Sequence, residues 1–187
     1  LSKSNNSITN IYSARLNPNG QFAWGPSPIT NFTNTSIEPG AVRIVPDNTG
    51  SFIIGWEQKD TNAGGDYDIY IQRINISGQK QWGDNGINIT SNPYVQEKPR
   101  LTTASDGGCF VIWEDKRYDA SHSNPDLLMQ KFNVQGTAVW TNPLSVCQID
   151  EKQAQARLTT TSDGCIVVWE DERDLNQFKG IDAYTQK

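Results

Sequence analysis

Two tryptophan series with nearly the same spacing constrain what this chain can fold into. In one series the residues are 57 and 56 positions apart: Trp56, Trp113 and Trp169. In the other they are 58 and 58 positions apart: Trp24, Trp82 and Trp140. These are all 6 tryptophans of the 187-residue chain, and Arg43, Arg100 and Arg157 repeat at intervals of 57. A fixed period of this length is typical of a propeller, a solenoid or another repeat array.

Each full repeat predicts four short strands and no helix. In the copy at 96–149, the pattern predicts strands at 100–104, 109–114 and 126–133. A fourth strand is expected to begin at 137–140 and to resume around 144–146. Turns rich in Gly, Asn and Asp separate these segments, and no window has a sustained helical period. The sequence therefore predicts an all-β fold of antiparallel units.

A repeat of four antiparallel strands in about 56–58 residues fits a β-propeller blade. We expect one domain over 1–187, divided into a partial blade at 7–34 with only the last two strands, full blades at 37–92 and 96–149, and a partial blade at 151–187 with the first three strands. In the first unit, the strand that opens at Gln21 is expected to break at Gly25–Pro28. A β-trefoil is the other reading, although its repeats are usually shorter and it would leave no fourth, partial copy.

The strand count predicts an open arc of a larger propeller. If the two partial units merged into one blade, they would supply five strands for a four-strand blade, so one strand would be surplus. The closed ring would then have three blades, whereas propellers have about four to eight. The chain is therefore expected to be cut from a longer protein. Its end blades would be covered by the rest of the same polypeptide or by another chain. Within the arc, Trp56, Trp113 and Trp169 are expected to fill the space between neighbouring blades.

The amino-acid composition limits the kinds of partner that the chain is expected to have. The chain has 16 Lys and Arg against 21 Asp and Glu, a formal net charge of −5, which argues against nucleic acid. No apolar run is long enough to span a bilayer, so no membrane insertion is expected. The 3 cysteines are an odd number without a C-x-x-C pair, which indicates small buried side chains rather than a disulfide scaffold or a zinc site. His122 lies in a polar loop without a nucleophile motif and is expected at the surface.

Three motifs recur along the chain: W-E-D-x-R, D-x-Y-x-Q-R and G-x-x-x-W. Together they resemble the propeller repeats of large secreted bacterial surface proteins, many of which carry sorting domains for type IX secretion. The resemblance covers residues 7–187, with Gln58 in place of the motif Asp and Leu128 in place of the motif Tyr. It implies secretion or display on a bacterial cell surface. Our interpretation of its function is a non-enzymatic scaffold or adhesion-type binding module for a protein or glycan.

The carboxylates of the W-E-D segments are the candidates for chemistry: Glu57, Glu114, Glu170, Asp115 and Asp171. Paired carboxylates are typical of glycosidases, but a catalytic pair needs two groups in different environments. A carboxylate that recurs in every copy favours a structural role. We therefore expect Arg100 and Arg157 to pair with these groups, and we assign no catalytic residue and no cofactor.

An enzyme remains the alternative function. The row Arg43, Arg100 and Arg157 resembles the arginine cluster with which sialidases hold a carboxylate. The chain would then be a fragment of a propeller glycoside hydrolase or sialidase-like enzyme acting on extracellular polysaccharide. A single unrepeated acid near the axis would favour that reading, whereas symmetric residues would favour the scaffold.

Acidic loops between the second and third strands are candidates for calcium. Their members are Asp66, Asp68, Asp119, Asp126, Asp174 and Asp182. Oxygen-rich loops can hold this ion, but no D-x-D-x-D-G spacing is present. A solvated loop whose last Asp caps a turn is the favoured interpretation.

Overall fold

A computed structural model describes residues 8–33, 37–47, 49–60, 65–118, 124–149 and 151–173, and the backbone of 182–186. Within these ranges all regular structure is β, every strand pair is antiparallel, and no helix occurs. The all-β prediction is confirmed at this level. Two of the four sheets have four strands, and the described sheets form an open series rather than a closed ring.

Each sheet is a simple meander in which consecutive strands pair. Sheet 1 contains β1 (Tyr12–Leu16) and β2 (Phe22–Pro28). Sheet 2 contains β3 (Ile37–Pro46), β4 (Phe52–Asp60), β5 (Tyr67–Ile74) and β6 (Ile87–Asn88). Sheet 3 contains β7 (Gln96–Thr103), β8 (Cys109–Asp115), β9 (Asp126–Phe132) and β10 (Leu144–Cys147). Sheet 4 contains β11 (Gln153–Thr160), β12 (Cys165–Asp171) and β13 (Asp182–Gln186).

The fourth strand of a sheet begins later than the sequence predicts. The segment 137–140 makes only one isolated bridge, between Phe132 and Ala138, and pairing resumes at Leu144. The buried side chain of Gln130 explains the gap. It accepts the N–H of Trp140 and donates to the carbonyl of Trp140, so these backbone groups bond to a side chain instead of a strand.

Strand β2 continues through the segment that was expected to break it. The β1–β2 register shifts between Ser13 and Arg15, and Gly25 lies on the other strand with φ of +88°. A bulge of this kind absorbs the irregular backbone without ending the strand. Proline is tolerated here because β2 is the edge of a two-stranded sheet, where a missing N–H removes no ladder bond. The predicted break at Gly25–Pro28 is therefore wrong.

Sheet 3 packs against sheets 2 and 4 because it has two apolar faces. All seven positions of β8 are buried. Phe110 and Ile112 pack with residues of sheet 4, whereas Val111 and Trp113 pack with residues of sheet 2. Alternate side chains of a strand point to opposite faces, so a single run of apolar residues supplies both interfaces.

Trp56, Trp113 and Trp169 occupy equivalent places in successive interfaces. Their exposed fractions are 0%, 1% and 7%. Each packs into the interface with the sheet that precedes its own in the chain. A buried indole contributes a large apolar area, so this position supplies much of the contact between sheets.

The second tryptophan series is covered from the other side, by a turn of the following sheet. Trp24 Nε1 donates to the carbonyl of Ile76 at 2.9 Å, and Trp82 Nε1 donates to that of Val134 at 3.2 Å. A Cβ built on Gly78 would lie 2.8 Å from the ring of Trp24, and one on Gly136 would lie 3.0 Å from the ring of Trp82. Only glycine lets the turn lie this close to the indole.

Substitution of Gly136 by Ala should therefore destabilise the fold by more than the cost of placing an alanine at a positive φ. Gly83 is the matched control, because it has φ of +75° and nothing within 4 Å of a built Cβ. Both substitutions carry the cost of a positive φ, but only Gly136→Ala also presses on Trp82. We expect Gly136→Ala to lower the free energy of unfolding by about 1–3 kcal/mol more than Gly83→Ala, measured by urea denaturation. Equal effects would refute the close packing.

Candidate functional site

The first strands of sheets 2, 3 and 4 carry a bulge at the same place. The pairing register shifts just before Arg43, Arg100 and Arg157. One non-glycine residue in each bulge has a positive φ: Ala41 at 39°, Lys98 at 55° and Gln155 at 57°. Strand β7 packs against both β3 and β11, so the three bulges lie side by side. Such a conformation is costly for these residue types, and its recurrence marks a feature built into the repeat.

The bulges present a backbone N–H to the glutamate of the preceding sheet. Glu57 Oε1 accepts the N–H of Lys98 at 2.5 Å, and Glu114 Oε1 accepts the N–H of Gln155 at 3.0 Å. Glu114 Oε2 also pairs with Lys98 Nζ at 2.8 Å. Glu170 has the same place in sheet 4 and is exposed. The W-E-D glutamate thus joins one sheet to the next.

The aspartate of the same motif stays within its own sheet. Asp115 Oδ2 accepts the indole N–H of Trp113 at 3.0 Å, and Asp115 Oδ1 accepts Arg117 Nε at 2.8 Å. The same bonds join Trp169, Asp171 and Arg173. In sheet 2, Gln58 Oε1 accepts the indole N–H of Trp56 at 3.2 Å. The motif is therefore a local clamp that fixes the buried indole.

The row formed by Arg43, Arg100 and Arg157 has no partner among these carboxylates. Each guanidinium bonds to a backbone carbonyl close by, of Val42, of Pro99, or of Gln155 and Ala156. In the described part of the chain none of the three forms an ion pair.

The expected pairing of Arg100 and Arg157 with the W-E-D carboxylates is therefore wrong. The reason is that other donors already occupy those oxygens. Arg117 and Arg173, two residues after each aspartate, bind Asp115 and Asp171. A bulge N–H and Lys98 bind Glu114.

The charges of Arg43 and Arg157 act on Arg100, the middle member of the row. Partial burial lowers the pKa of Arg100, and the neighbouring charges of Arg43 and Arg157 lower it further, while Glu114 and Glu57 oppose the change. Burial raises the pKa of Glu57, although its bond from the Lys98 N–H acts in the other direction. Three guanidinium groups that repel one another, beside carboxylates that are already bonded, form a surface suited to an anion.

Two buried polar groups of the repeat were not found by reading the sequence. Gln72 Oε1 accepts the N–H of Trp82 at 2.8 Å, and Gln72 Nε2 donates to the carbonyl of Gly83 at 2.7 Å. Gln130 holds Trp140 in the same way. The signal was available, because both residues stand at the glutamine of D-x-Y-x-Q-R. The other group is a buried ion pair between Arg73 and Asp47 at 2.5 Å, where Arg73 is the last residue of that motif.

Two of the calcium candidates, Asp66 and Asp68, line one open pocket together with Asp60, whereas Asp126 lies in sheet 3. Asp68 accepts bonds from Asn88 and Thr90, Asp126 is buried, and Asp66 is exposed. No three His, Cys, Asp or Glu side chains of the described residues converge as a metal site would require. Some predicted positions lie outside the described side chains: Asp119, His122, Asp174 and Asp182. Calcium binding stays a prediction.

The cysteines form no disulfide. Cys109, Cys147 and Cys165 are free thiols, of which Cys109 is buried and the other two are half-buried. Burial raises the pKa of Cys109 to about 12, which keeps it protonated and unreactive. Cys109 therefore acts as a small apolar side chain, whereas the Cys147 thiol contacts Asp171 and Arg173.

Comparison with solved structures gives a structural likeness. No family model matches the chain, and no curated protein matches it. An endo-arabinase from Bacteroides thetaiotaomicron VPI-5482 is a similar solved structure, with 15% identity and a TM-score of 0.49. The match covers 91% of this chain, and the chain spans 62% of that structure's length. No helix in the described ranges is long and apolar enough to cross a membrane.

Glu114 and Glu170 provide a matched test of the join between sheets. Glu114 is 2% exposed and accepts the N–H of Gln155, whereas Glu170 is exposed. We expect Glu114→Ala to lower the free energy of unfolding by about 1–3 kcal/mol, because the Gln155 N–H and the Lys98 ammonium lose their acceptor. Glu170→Ala should change it little. Chemical denaturation of both variants measures the difference, and a large loss in both would contradict the assigned role.

Asp171 should make stability depend on acid pH. Burial opposes its ionisation, but the bonds from Arg173 and Trp169 outweigh that effect, and the pKa of Asp171 falls from 3.8 to about 2. A lowered folded-state pKa means that this contribution is present above pH 3.8 and is lost as the pH falls towards about 2. We expect Asp171→Asn to flatten the pH dependence of the free energy of unfolding in that window. A pH dependence that is the same in Asp171→Asn and in the unchanged chain would contradict the assigned bonds.

Proposed function

We propose that the chain is part of a β-propeller that binds an acidic glycan without catalysis, on the surface of a bacterium or after secretion. The observation that carries the proposal is the arginine row, three guanidinium groups on neighbouring strands that no described carboxylate pairs. Unpaired guanidinium groups bind carboxylate or sulfate strongly. The location rests on the resemblance of the repeat motifs to secreted bacterial surface proteins, including substrates of type IX secretion.

A propeller architecture accounts for the stacked sheets. Sheets 2, 3 and 4 pack face to face in series, with the first strand of each beside the first strand of its neighbour. In a propeller these first strands surround an axis. The arginine row would then line that axis at regular spacing. A polymer with a carboxylate on every sugar could meet several of these groups at once, which raises the affinity beyond that of a single contact.

The repeated carboxylates favour binding over hydrolysis. Glu57 and Glu114 both bond to the N–H of the next bulge, and Asp115 and Asp171 both bond to an indole and an arginine. The hydrogen-bond partners within each pair are alike from copy to copy, whereas an acid and a nucleophile need different environments. A hydrolase that uses residues elsewhere is the second reading, and its test is turnover of a polysaccharide substrate by this chain.

Binding to polygalacturonate tests the proposal, with neutral dextran as the control polymer. We expect the chain to bind polygalacturonate with an affinity that falls as salt is added, and to ignore dextran. Arg100→Gln should weaken binding roughly tenfold or more, since a hydrogen bond to a charged group is lost. Arg15→Gln, an equal change of charge on the exposed strand β1, should have little effect. Absence of binding, or equal losses in both variants, would refute the anion site.

A further inference from the structure

An open pocket of about 340 Å³ lies where β4 ends and β5 begins. Its lining includes Gln58, Asp60, Asp66, Asp68, Tyr70 and Asn92. All of the lining residues fall between positions 58 and 93, in sheet 2 and in the segment that follows it, and none of them is Lys or Arg. We call this the acidic pocket, because three aspartates line it.

The repeat shows what fills the equivalent place in the other sheets. The second and fourth residues after the buried tryptophan are Asp115 and Arg117 in sheet 3, and Asp171 and Arg173 in sheet 4. In both sheets the arginine Nε donates to the aspartate Oδ1, at 2.8 and 2.9 Å, and the arginine Nη2 donates to Oδ2 at 2.5 Å. A guanidinium group of the chain itself therefore occupies this place in two copies.

Sheet 2 has different charges at the same positions. Gln58 stands where the other sheets have the aspartate, and Asp60 stands where they have the arginine. Gln58 still accepts the indole N–H of Trp56, so the neutral amide keeps the structural bond of the motif and needs no cation. Gln58 also pairs across the ladder with Asp68, as the aspartate of sheet 3 pairs with Asp126. Sheet 2 thus keeps the frame of this place but brings a carboxylate to it instead of a guanidinium group.

The carboxylates of the acidic pocket repel one another. Burial raises the pKa of Asp68, the bonds from Asn88 and Thr90 oppose this change, and the charge of Asp66 raises the pKa further. Neither Asp66 nor Asp68 forms an ion pair with another described residue. A cation in the pocket would relieve this repulsion, and a concave wall of one sign of charge attracts such a ligand.

The spacing of the carboxylates favours an organic cation over a metal ion. No three acidic side chains of the described residues converge closely enough to share a metal, whereas about 340 Å³ gives room for a planar guanidinium group and part of its chain. Tyr70 supplies an aromatic wall. Its ring stacks on Trp56 with 5.7 Å between centroids, and its hydroxyl accepts a bond from Asn88 at 3.2 Å. Guanidinium groups bind both carboxylates and aromatic rings.

We propose that the acidic pocket binds a guanidinium group of a ligand, either an arginine side chain of a partner polypeptide or a small guanidine compound. Oxygens of Asp60, Asp66 and Asp68 accept its N–H groups, and Tyr70 contacts its face. The ligand takes the place that Arg117 fills from within sheet 3. The site does not involve the arginine row, so it does not depend on the proposed binding of an acidic glycan.

Titration with Nα-acetyl-arginine amide tests the proposal, because the guanidinium group is the only charge of this probe. Nα-acetyl-citrulline amide is the matched control, with the same length and a neutral urea group. Ligand-observed NMR should show that the arginine amide binds with a dissociation constant on the order of a millimolar, weakened by salt, and that the citrulline amide does not bind. Asp66→Asn should weaken binding roughly tenfold, since a charge-assisted hydrogen bond is lost. Asp84→Asn, an equal change of charge at an exposed position outside the pocket, should have little effect.

A double variant fills the pocket from within. Gln58→Asp combined with Asp60→Arg gives sheet 2 the pair of residues that sheets 3 and 4 have. The new guanidinium group should bond to the new carboxylate, so binding of the arginine amide should be lost while the thermal unfolding temperature stays the same or rises. If the double variant does not fold, Asp66→Asn decides alone, because that position is exposed.

A capped peptide with a single arginine between glycines and serines distinguishes the two sources. Tighter binding of the peptide than of the arginine amide would indicate a partner polypeptide, and equal binding would indicate a small guanidine compound. Both results support the site. Three results would overturn it: equal binding of the arginine and citrulline amides, binding that Asp66→Asn leaves unchanged, or binding that a folded double variant retains. Arg100→Gln should leave binding of the arginine amide unchanged, so failure here and failure of the acidic-glycan proposal are distinguished.

Discussion

Every sheet with both neighbours present is apolar on both faces, and the rest of the structure depends on that constraint. In β8 the side chains alternate between two cores, Phe110 and Ile112 in one and Val111 and Trp113 in the other. Such a sheet exposes a large apolar area unless it lies between two others, so it cannot be stable alone. The repeat follows from this constraint, because a copy of the same sheet is the surface that fits each face.

Polar residues fix how the sheets stack, since apolar contact alone does not set a register. Each residue of the W-E-D-x-R motif has a separate role in this stacking. The tryptophan fills the interface, the aspartate holds the indole with the help of the arginine, and the glutamate reaches the next sheet. The positive φ of Lys98 and Gln155 belongs to this arrangement, because the bulge directs a backbone N–H at Glu57 and Glu114. The strain of the bulge is thus offset by a charge-assisted hydrogen bond.

The pairing within the motif explains why the arginine row does not pair with the described aspartates. Arg117 and Arg173 stand two residues after the aspartates and meet them with short, double contacts. Among the described residues, the first-strand arginines donate hydrogen bonds only to backbone carbonyls. Because the repeat brings the first strands side by side, the stack places these three arginines in one row, beside Glu57 and Glu114. The exposed apolar residues at both ends, such as Tyr12 and Val168, follow from the same periodicity, since each has a place in the repeat where a neighbouring sheet would cover it.

The sequence by itself determined the all-β fold and the period of the repeat. It also predicted burial at the positions of Trp56, Trp113 and Trp169. These follow from local patterns, in which strand alternation, turn glycines and tryptophan spacing act over a few residues or recur at one interval. The sequence did not determine which cation meets which carboxylate, and the predicted partners of Arg100 and Arg157 were wrong. Nor did it reveal that Gln130 would interrupt the fourth strand or that a bulge would carry β2 through Gly25. Only the tertiary structure decided these points, because hydrogen bonds depend on distances of a few tenths of an ångström between groups brought together by bulges and stacking.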